Sequence, residues 1–184
     1  MKLTHRDIDA TPFERVRIAN ELAISASRDA PLRKLASVLV EGSWDIPRGG
    51  PGKIARWIRK AFHYTLETPG IEVLQGPYTT LYTRTVDCDD AVILWQTLTR
   101  AIGLRTYFTG VGVEPNELVH AVGYDPATGI LYELIDDMAY SGHWKLGIRF
   151  RLPSEAYAVY WSPEPESEGF YMATAESGAF QRVE

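Results

Sequence analysis

Asp87-Cys88-Asp89-Asp90-Ala91-Val92-Ile93-Leu94-Trp95-Gln96-Thr97-Leu98-Thr99-Arg100-Ala101-Ile102-Gly103-Leu104-Arg105-Thr106 reads as a helix carrying the chain's only cysteine in its first turn. Asp87 can serve as N-cap, Asp89 and Asp90 place negative charge at the positive end of the helix dipole, and Gly103 can close the far end. Winding gathers Ala91, Leu94, Trp95, Leu98, Ala101 and Ile102 on one face, yet Ile93 falls opposite and Val92 off the stripe. A helix apolar on more than one side belongs in the middle of the fold. At its N-terminus, free backbone N–H groups and the dipole favour thiolate over thiol, and the thiolate is the nucleophile. The same N–H groups can form half of an oxyanion hole. The plainer reading of Cys88 is a small buried hydrophobe.

Upstream, Thr11-Pro12 opens a helical pattern of Phe13, Val16, Ile18, Ala19, Leu22, Ala23 and Ala26. Asp29-Ala30-Pro31 restarts it, and Leu32, Leu35, Ala36, Val38 and Leu39 carry a second helix to Gly42. Gly42 to Gly52, rich in glycine and proline, reads as a loop. A third helix is expected from about Pro51, with Ile54, Trp57, Ile58, Ala61 and Phe62 on one side. Its other face, Lys53, Arg56, Arg59 and Lys60, reads as a solvated surface. His63 to Val86 loses periodicity and reads as a long connection delivering the chain to Cys88.

Downstream the period switches from helix to strand. Leu104 to Val113 is β-branched and aromatic, and Leu118 to Tyr124 alternates. Asp125-Pro126-Ala127-Thr128-Gly129 is a hairpin turn, with a return strand from Ile130 to Ile135 and a further strand at Trp144 to Leu152. From Ser162 onward, Pro, Glu, Ser and Gly predict an exposed, irregular arm whose removal leaves folding cooperative, although Phe170, Tyr171 and Phe180 suggest docking points. Helices first and antiparallel strands second make an α+β fold. Its expected parts are an N-terminal helical region (1–50), a core (51–152) and a C-terminal arm (153–184).

The chain has 184 residues, enough for one domain with a substantial core. Its net charge of −5 and lack of a basic block argue against nucleic acid as a partner. A single cysteine excludes an internal disulfide and any multi-cysteine zinc site. The first residues carry no apolar leader and no stretch reaches membrane-span length, so a cytoplasmic protein without a membrane partner is expected.

A thiolate needs a base and an orienting group for acyl chemistry. Of the four histidines, His5 lies near the terminus, His63 ends a helix and His143 sits in a loop-like stretch. His120 alone stands mid-strand on an otherwise apolar face, with the acids Asp136-Asp137 at the end of the next strand. A histidine there is ordinarily a satisfied core residue; the acids across the hairpin make it a candidate base.

These residues resemble the transglutaminase-like superfamily of papain-type thiol enzymes, in phage-encoded and bacterial forms. The resemblance rests on Asp87-Cys88-Asp89-Asp90 opening a helix with Leu94, Leu98, Arg100-Ala101-Ile102-Gly103 and Arg105. It continues through His120-Ala121-Val122 and Tyr132-Glu133-Leu134-Ile135-Asp136, with Gln75-Gly76-Pro77 through Leu81 as the approach, and covers roughly residues 51 to 137. It implies a papain-like core, Cys88 as nucleophile, His120 as general base and then acid, and Asp136 as orienter of the imidazole. It implies no cofactor and no metal, a protein or peptide substrate, and, in phage-type members, a place among virion assembly partners. Val86, Val92, Val122 and Asp137-Met138 depart from the family pattern, and none removes a triad member. The backbone N–H of Cys88 would be one oxyanion donor; Gln75, Tyr82 and Trp44 are candidates for the other.

Strand register decides which aspartate shares a face with His120. A three- or five-residue loop around Ala127-Thr128-Gly129 puts Asp136 opposite His120, whereas a four-residue loop from Pro126 to Gly129 puts Asp137 on that face. The motif match selects Asp136; the turn chemistry permits either. The expected chemistry is acyl transfer on amides or esters, by hydrolysis or transamidation, with a catalytically silent structural module as the alternative. A metal site at Cys88, Asp89, Asp90 and His120 is disfavoured, because the two aspartates point to different sides of a helix. If His120 is charged, Cys88 is expected to be largely thiolate at neutral pH despite Asp89 and Asp90.

Overall fold

A computed structural model describes residues 5–7, 10–43, 45–65, 73–114, 117–135, 148–153, 156–174, 177 and 179–183. Asp136, Asp137, His143 and Trp44 lie outside them. The described chain runs β1 (His5–Asp7), α1 (Pro12–Ala26), α2 (Ala30–Val40), α3 (Ile46–Ala61), β2 (His63–Tyr64), β3 (Val73–Gln75), α4 (Pro77–Thr83), β4 (Thr85–Val86) and α5 (Cys88–Ala101). Strands β5 (Tyr107–Glu114), β6 (Glu117–Asp125), β7 (Ile130–Tyr132), β8 (Arg149–Phe150), β9 (Tyr157–Ser162), β10 (Gly169–Thr174) and β11 (Gln181–Val183) follow. The last seven form one antiparallel sheet in the order β11-β10-β9-β5-β6-β7-β8, and helices cover one of its faces. The architecture is α+β, as the element order predicts.

Local chemistry sets the helix boundaries. Thr11 and Glu14 form a reciprocal capping box at α1, with the Thr11 N–H donating to Glu14 Oε2 at 2.9 Å. Asp87 caps α5 by accepting from Asp90 N at 2.9 Å, an arrangement worth about 1 kcal/mol. Residues 90–99 of α5 are buried on every side, against α1, α2 and α3 and against the sheet. Trp95 is the largest side chain so enclosed; its Nε1 donates to Pro51 O at 3.0 Å and its ring meets Tyr132 at 5.1 Å. It lies directly beneath Gly123, where a Cβ would stand 2.4 Å from the indole. The alternating β6 pattern needs a glycine there because helix and strand approach too closely for any side chain.

Two expectations are corrected. The supposed loop from Gly42 to Gly52 becomes helix at Ile46, because Asp45 caps it by accepting from Arg48 N and Pro47 occupies the first turn. Gly50 and Gly52, unfavourable in a helix by themselves, sit where neighbours press close: Ile102 and Val40 on Gly50, Arg149 on Gly52. Packing overrides propensity here.

The expected C-terminal arm likewise supplies three of the sheet's seven strands. Strand β9 pairs with β5, and β10 with β9 through six residue pairs. Residues 163–168 are irregular as expected, but Glu164 is largely enclosed by its pair with Arg100 at 3.1 Å. The anticipated docking aromatics do dock. Phe170 meets Phe13 of α1 at 5.3 Å, Tyr171 stacks on Tyr160, and Phe180 lies 4.5 Å from Tyr124. Tyr171 and Phe180 cover a second apolar cluster of Tyr107, Val111, Val122, Tyr124 and Tyr160 on the sheet face away from α5, while Phe170 packs on the helix-covered face.

Candidate active site

Strand β6 pairs with β5 by setting His120 against Val111 and Ala121 against Gly110. By alternation His120 shares its face with Val122 and Tyr124, while Ala121 and Gly123 turn toward α5. On the other side of β6, pairing with β7 stops at Gly123 and Tyr132, and the next amide, Glu133 N–H, donates instead to Ile148 O at 3.1 Å. Ala121 is therefore left at a stretch of β6 edge that a longer β7 would have taken. The N-terminus of α5 fills this gap: the half-buried Cys88 sulfur receives the Ala121 N–H. Cys88 and the His120 strand thus meet at the sheet edge.

His120 is 6% exposed, and its Nε2 lies 2.8 Å from Glu133 Oε2. Glu133 is itself fixed, since its Oε1 accepts from Ile135 N at 3.1 Å. The imidazole consequently has a defined orientation, with Nε2 on the carboxylate. Among the described residues the acid on His120 is Glu133; Asp136 lies outside them. The reason is the turn. Asp125 Oδ1 accepts from Ala127 N, Asp125 Oδ2 accepts from Thr128 Oγ1, and Gly129 takes φ 66°, closing a four-residue loop from Pro126 to Gly129. The register favouring Asp136 is therefore not the one formed. The register that is formed puts Glu133 on the His120 face. The Asp-Pro-Ala-Thr-Gly stretch carried that signal, but the family pattern drew the reading to the strand's end.

The three proposed oxyanion donors separate. Gln75 is spent on the first turn of α5: its backbone N–H and Nε2 donate to the two oxygens of buried Asp90 at 2.9 and 2.6 Å. This fixes Asp90 and holds the approach strand against the cysteine turn. Tyr82 is 77% exposed. Trp44 lies outside the described residues. Among the described residues no three His, Cys, Asp or Glu side chains are grouped to hold a metal ion.

Desolvation pushes the Cys88 thiol well above its ordinary pKa, Asp89 and Asp87 add to the rise, and the Ala121 N–H opposes it. The Cys88 Sγ–H reaches Asp89 Oδ1 at 3.5 Å, which also favours the protonated form. The expectation of a thiolate at neutral pH is therefore corrected: the resting group is a thiol, because two flanking carboxylates and burial outweigh a dipole worth less than about 1 kcal/mol. Iodoacetamide alkylation should consequently show a midpoint above the free-cysteine value of about 8.5, and Asp89→Asn should lower it. A pKa raised by folding gives stability that is complete below about pH 8.5 and is lost as pH rises through the folded value. A wild-type midpoint at or below that of free cysteine would contradict this geometry.

A cavity of about 310 Å³ opens beside the site, lined by Ile58, Phe62, Tyr64, Val86, Leu134 and Ile135 together with Arg59 and His63. Val86 stands two residues before the nucleophile candidate, and Ile135 holds Glu133. The sequence gives no sign of this cavity, and Glu133 stands in the quoted Tyr132–Asp136 stretch without a role. The cavity is built from three separate segments, so no local signal could have revealed it.

Set beside protein-family models, characterised proteins and solved structures, the chain matches none. Fold and site by themselves define an α+β protein with a cysteine opening a buried helix at the edge of an antiparallel sheet, against the backbone of the strand that carries a histidine–carboxylate pair. No described helix is long and apolar enough to cross a membrane.

Proposed function

We propose that the chain is a thiol-dependent acyl-transfer domain of the transglutaminase-like, papain-type class, acting on amide or ester bonds of a protein or peptide. The observation that carries the proposal is the meeting of Cys88 with the His120–Ala121 backbone where β7 ends, while Glu133 holds the His120 ring by Nε2 at 2.8 Å. With Nε2 on the carboxylate, Nδ1 is the nitrogen that would exchange a proton with sulfur. The Cys88 S–H bond gives its proton to Nδ1 as sulfur attacks the acyl carbonyl carbon, whose π electrons move to oxygen. The backbone N–H of Cys88 stands at the first helical position, where no intrahelical acceptor exists, and can donate to that oxygen. Collapse expels the amine or alcohol, which takes the proton from the imidazolium and leaves a thioester on Cys88. Water or a second amine then attacks, losing its proton to His120, and sulfur regains a proton as the thiol. The neighbouring cavity, about 310 Å³, sets apolar walls beside Arg59 and His63 and suits a side chain of the acyl donor that has an apolar stem and a polar end.

The raised thiol pKa favours a second reading, a catalytically silent member of the same fold acting as a structural or interaction module. One experiment separates the two. An activated ester such as p-nitrophenyl acetate should acylate Cys88 stoichiometrically, with a burst seen by absorbance and a mass gain on the Cys88 peptide. Cys88→Ala should abolish both, and His120→Ala should slow the burst by about 10²-fold or more. Acylation no faster than that of a free thiol, and unaffected by His120→Ala, would establish the silent module.

A further inference from the structure

At the opposite end of α3 from the first cavity, a pocket of about 470 Å³ is lined by Ser43, Asp45, Arg48, Lys53, Arg56 and Arg149. Four cationic residues and one acidic residue border it, in a chain whose overall charge is −5. Asp45 is the only acid paired with any of the four among the described residues, and it reaches Arg48 at 3.8 Å. The basic residues come from α3 and from β8, so helix periodicity alone did not assemble them. Lys53 and Arg56, which read in sequence as part of a solvated stripe, are turned to a common concavity with Arg149.

Several contacts prearrange this concavity. Arg149 Nη2 donates to Arg48 O at 3.1 Å, and its guanidinium lies 5.7 Å from the Tyr132 ring centroid. It rests on the bare backbone of Gly52, where a Cβ would stand 2.5 Å from Nη2 and 3.0 Å from Nε. A glycine in mid-helix thus makes room for a guanidinium. Lys53 Nζ is anchored on Glu41 O at 3.1 Å, with two further N–H donors to offer. Ser43 Oγ is buried yet has no hydrogen-bond partner among the described residues. A buried hydroxyl without a partner calls for a group that would supply one.

We propose that this pocket binds a phosphorylated small molecule through its phosphoryl group. Tetrahedral oxyanions accept several N–H donors at once, and guanidinium forks match them in geometry. The excess of three positive charges suits a group carrying about two negative charges at neutral pH. The volume exceeds what a lone phosphate fills and falls within the range for small-molecule sites. Ser43 Oγ supplies the neutral hydrogen bond that distinguishes a site from general charge attraction. The inference is independent of the Cys88 chemistry.

Inorganic pyrophosphate is the probe, titrated calorimetrically into the full chain at low ionic strength. The expected result is saturable one-to-one binding. Arg56→Gln, on an exposed side chain whose loss leaves the fold intact, should weaken it at least tenfold. Ser43→Ala, which changes no charge, should weaken it several-fold, and Gly52→Ala should do the same by displacing Arg149. Lys60→Gln, on the same helix but outside the pocket, should leave the affinity within twofold. Absence of saturable binding, or equal weakening by Lys60→Gln and Arg56→Gln, would overturn the proposal. So would tighter binding of a short single-stranded oligonucleotide that is insensitive to Ser43→Ala, which would indicate an extended polyanion surface.

Discussion

A chain ending at Pro163 is expected to lose its cooperative thermal transition and most of its near-ultraviolet circular dichroism. The deletion removes β10 and β11 and strips the six-pair ladder from β9, leaving that strand as an open edge. Tyr171 and Phe180 leave the aromatic cluster around Tyr160 and Tyr124, Phe170 leaves Phe13, and Arg100 loses Glu164. Full burial of such a side chain contributes about 1.5–3 kcal/mol, and these three are partly buried, so together they supply several kcal/mol. A domain of this size has roughly 5–15 kcal/mol in total, and the lost ladder adds to the deficit. Differential scanning calorimetry decides the matter. A sharp transition retained by the truncated chain would show that β5 to β8 with the helices fold without the C-terminal strands.

Glu133→Gln is expected to slow acylation of Cys88 by about 10³–10⁴-fold, on the scale seen when the acid that orients a catalytic imidazole is replaced by its amide. The carboxylate accepts from the imidazole N–H through one oxygen and from the Ile135 N–H through the other, whereas the amide has one acceptor oxygen; with that oxygen on Ile135, its NH2 faces Nε2 and shifts the ring proton to Nδ1, the wrong tautomer for a base. Folding should survive, because the substituted amide keeps an acceptor oxygen for the Ile135 N–H that Glu133 now binds at 3.1 Å. Asp136→Asn is expected to leave the rate within about threefold, since Nε2 is already engaged by Glu133 at 2.8 Å. Single-turnover rates for the two variants, with melting temperatures as a control, are the measurement. If Asp136→Asn carries the loss and Glu133→Gln does not, the orienting acid is Asp136 and the 2.8 Å pair is structural.

The central helix was legible because its causes are local. An aspartate cap, acids in the first turn, apolar residues on several faces and a glycine after the end are all contained between Asp87 and Gly103. The capping box at Thr11 and the turn at Asp125 are of the same kind: a side chain satisfies backbone groups within four residues, so the sequence states the bond. The alternation along β6 likewise announced which residues share a face with His120.

What tertiary structure decided lies between segments far apart in the chain. Gly50 and Gly52 argue against a helix locally, yet both are buried in one, and at Gly52 the Arg149 guanidinium takes the space a side chain would need. The polar, proline-bearing C-terminal quarter looked unable to form a core, and it did not have to. Its strands borrow the backbone of β5 and the aromatic face already presented by Tyr107 and Tyr124. The acidity of Cys88 was misjudged for the same reason: a helix dipole is visible in sequence, whereas desolvation is a property of everything packed around the sulfur. The identity of the acid on His120 turned on a single residue of hairpin length. Side chains on a strand alternate, so one residue more or less in that turn exchanges the whole set facing His120, and hydrogen bonds closed by Asp125 and Gly129 fixed it at four.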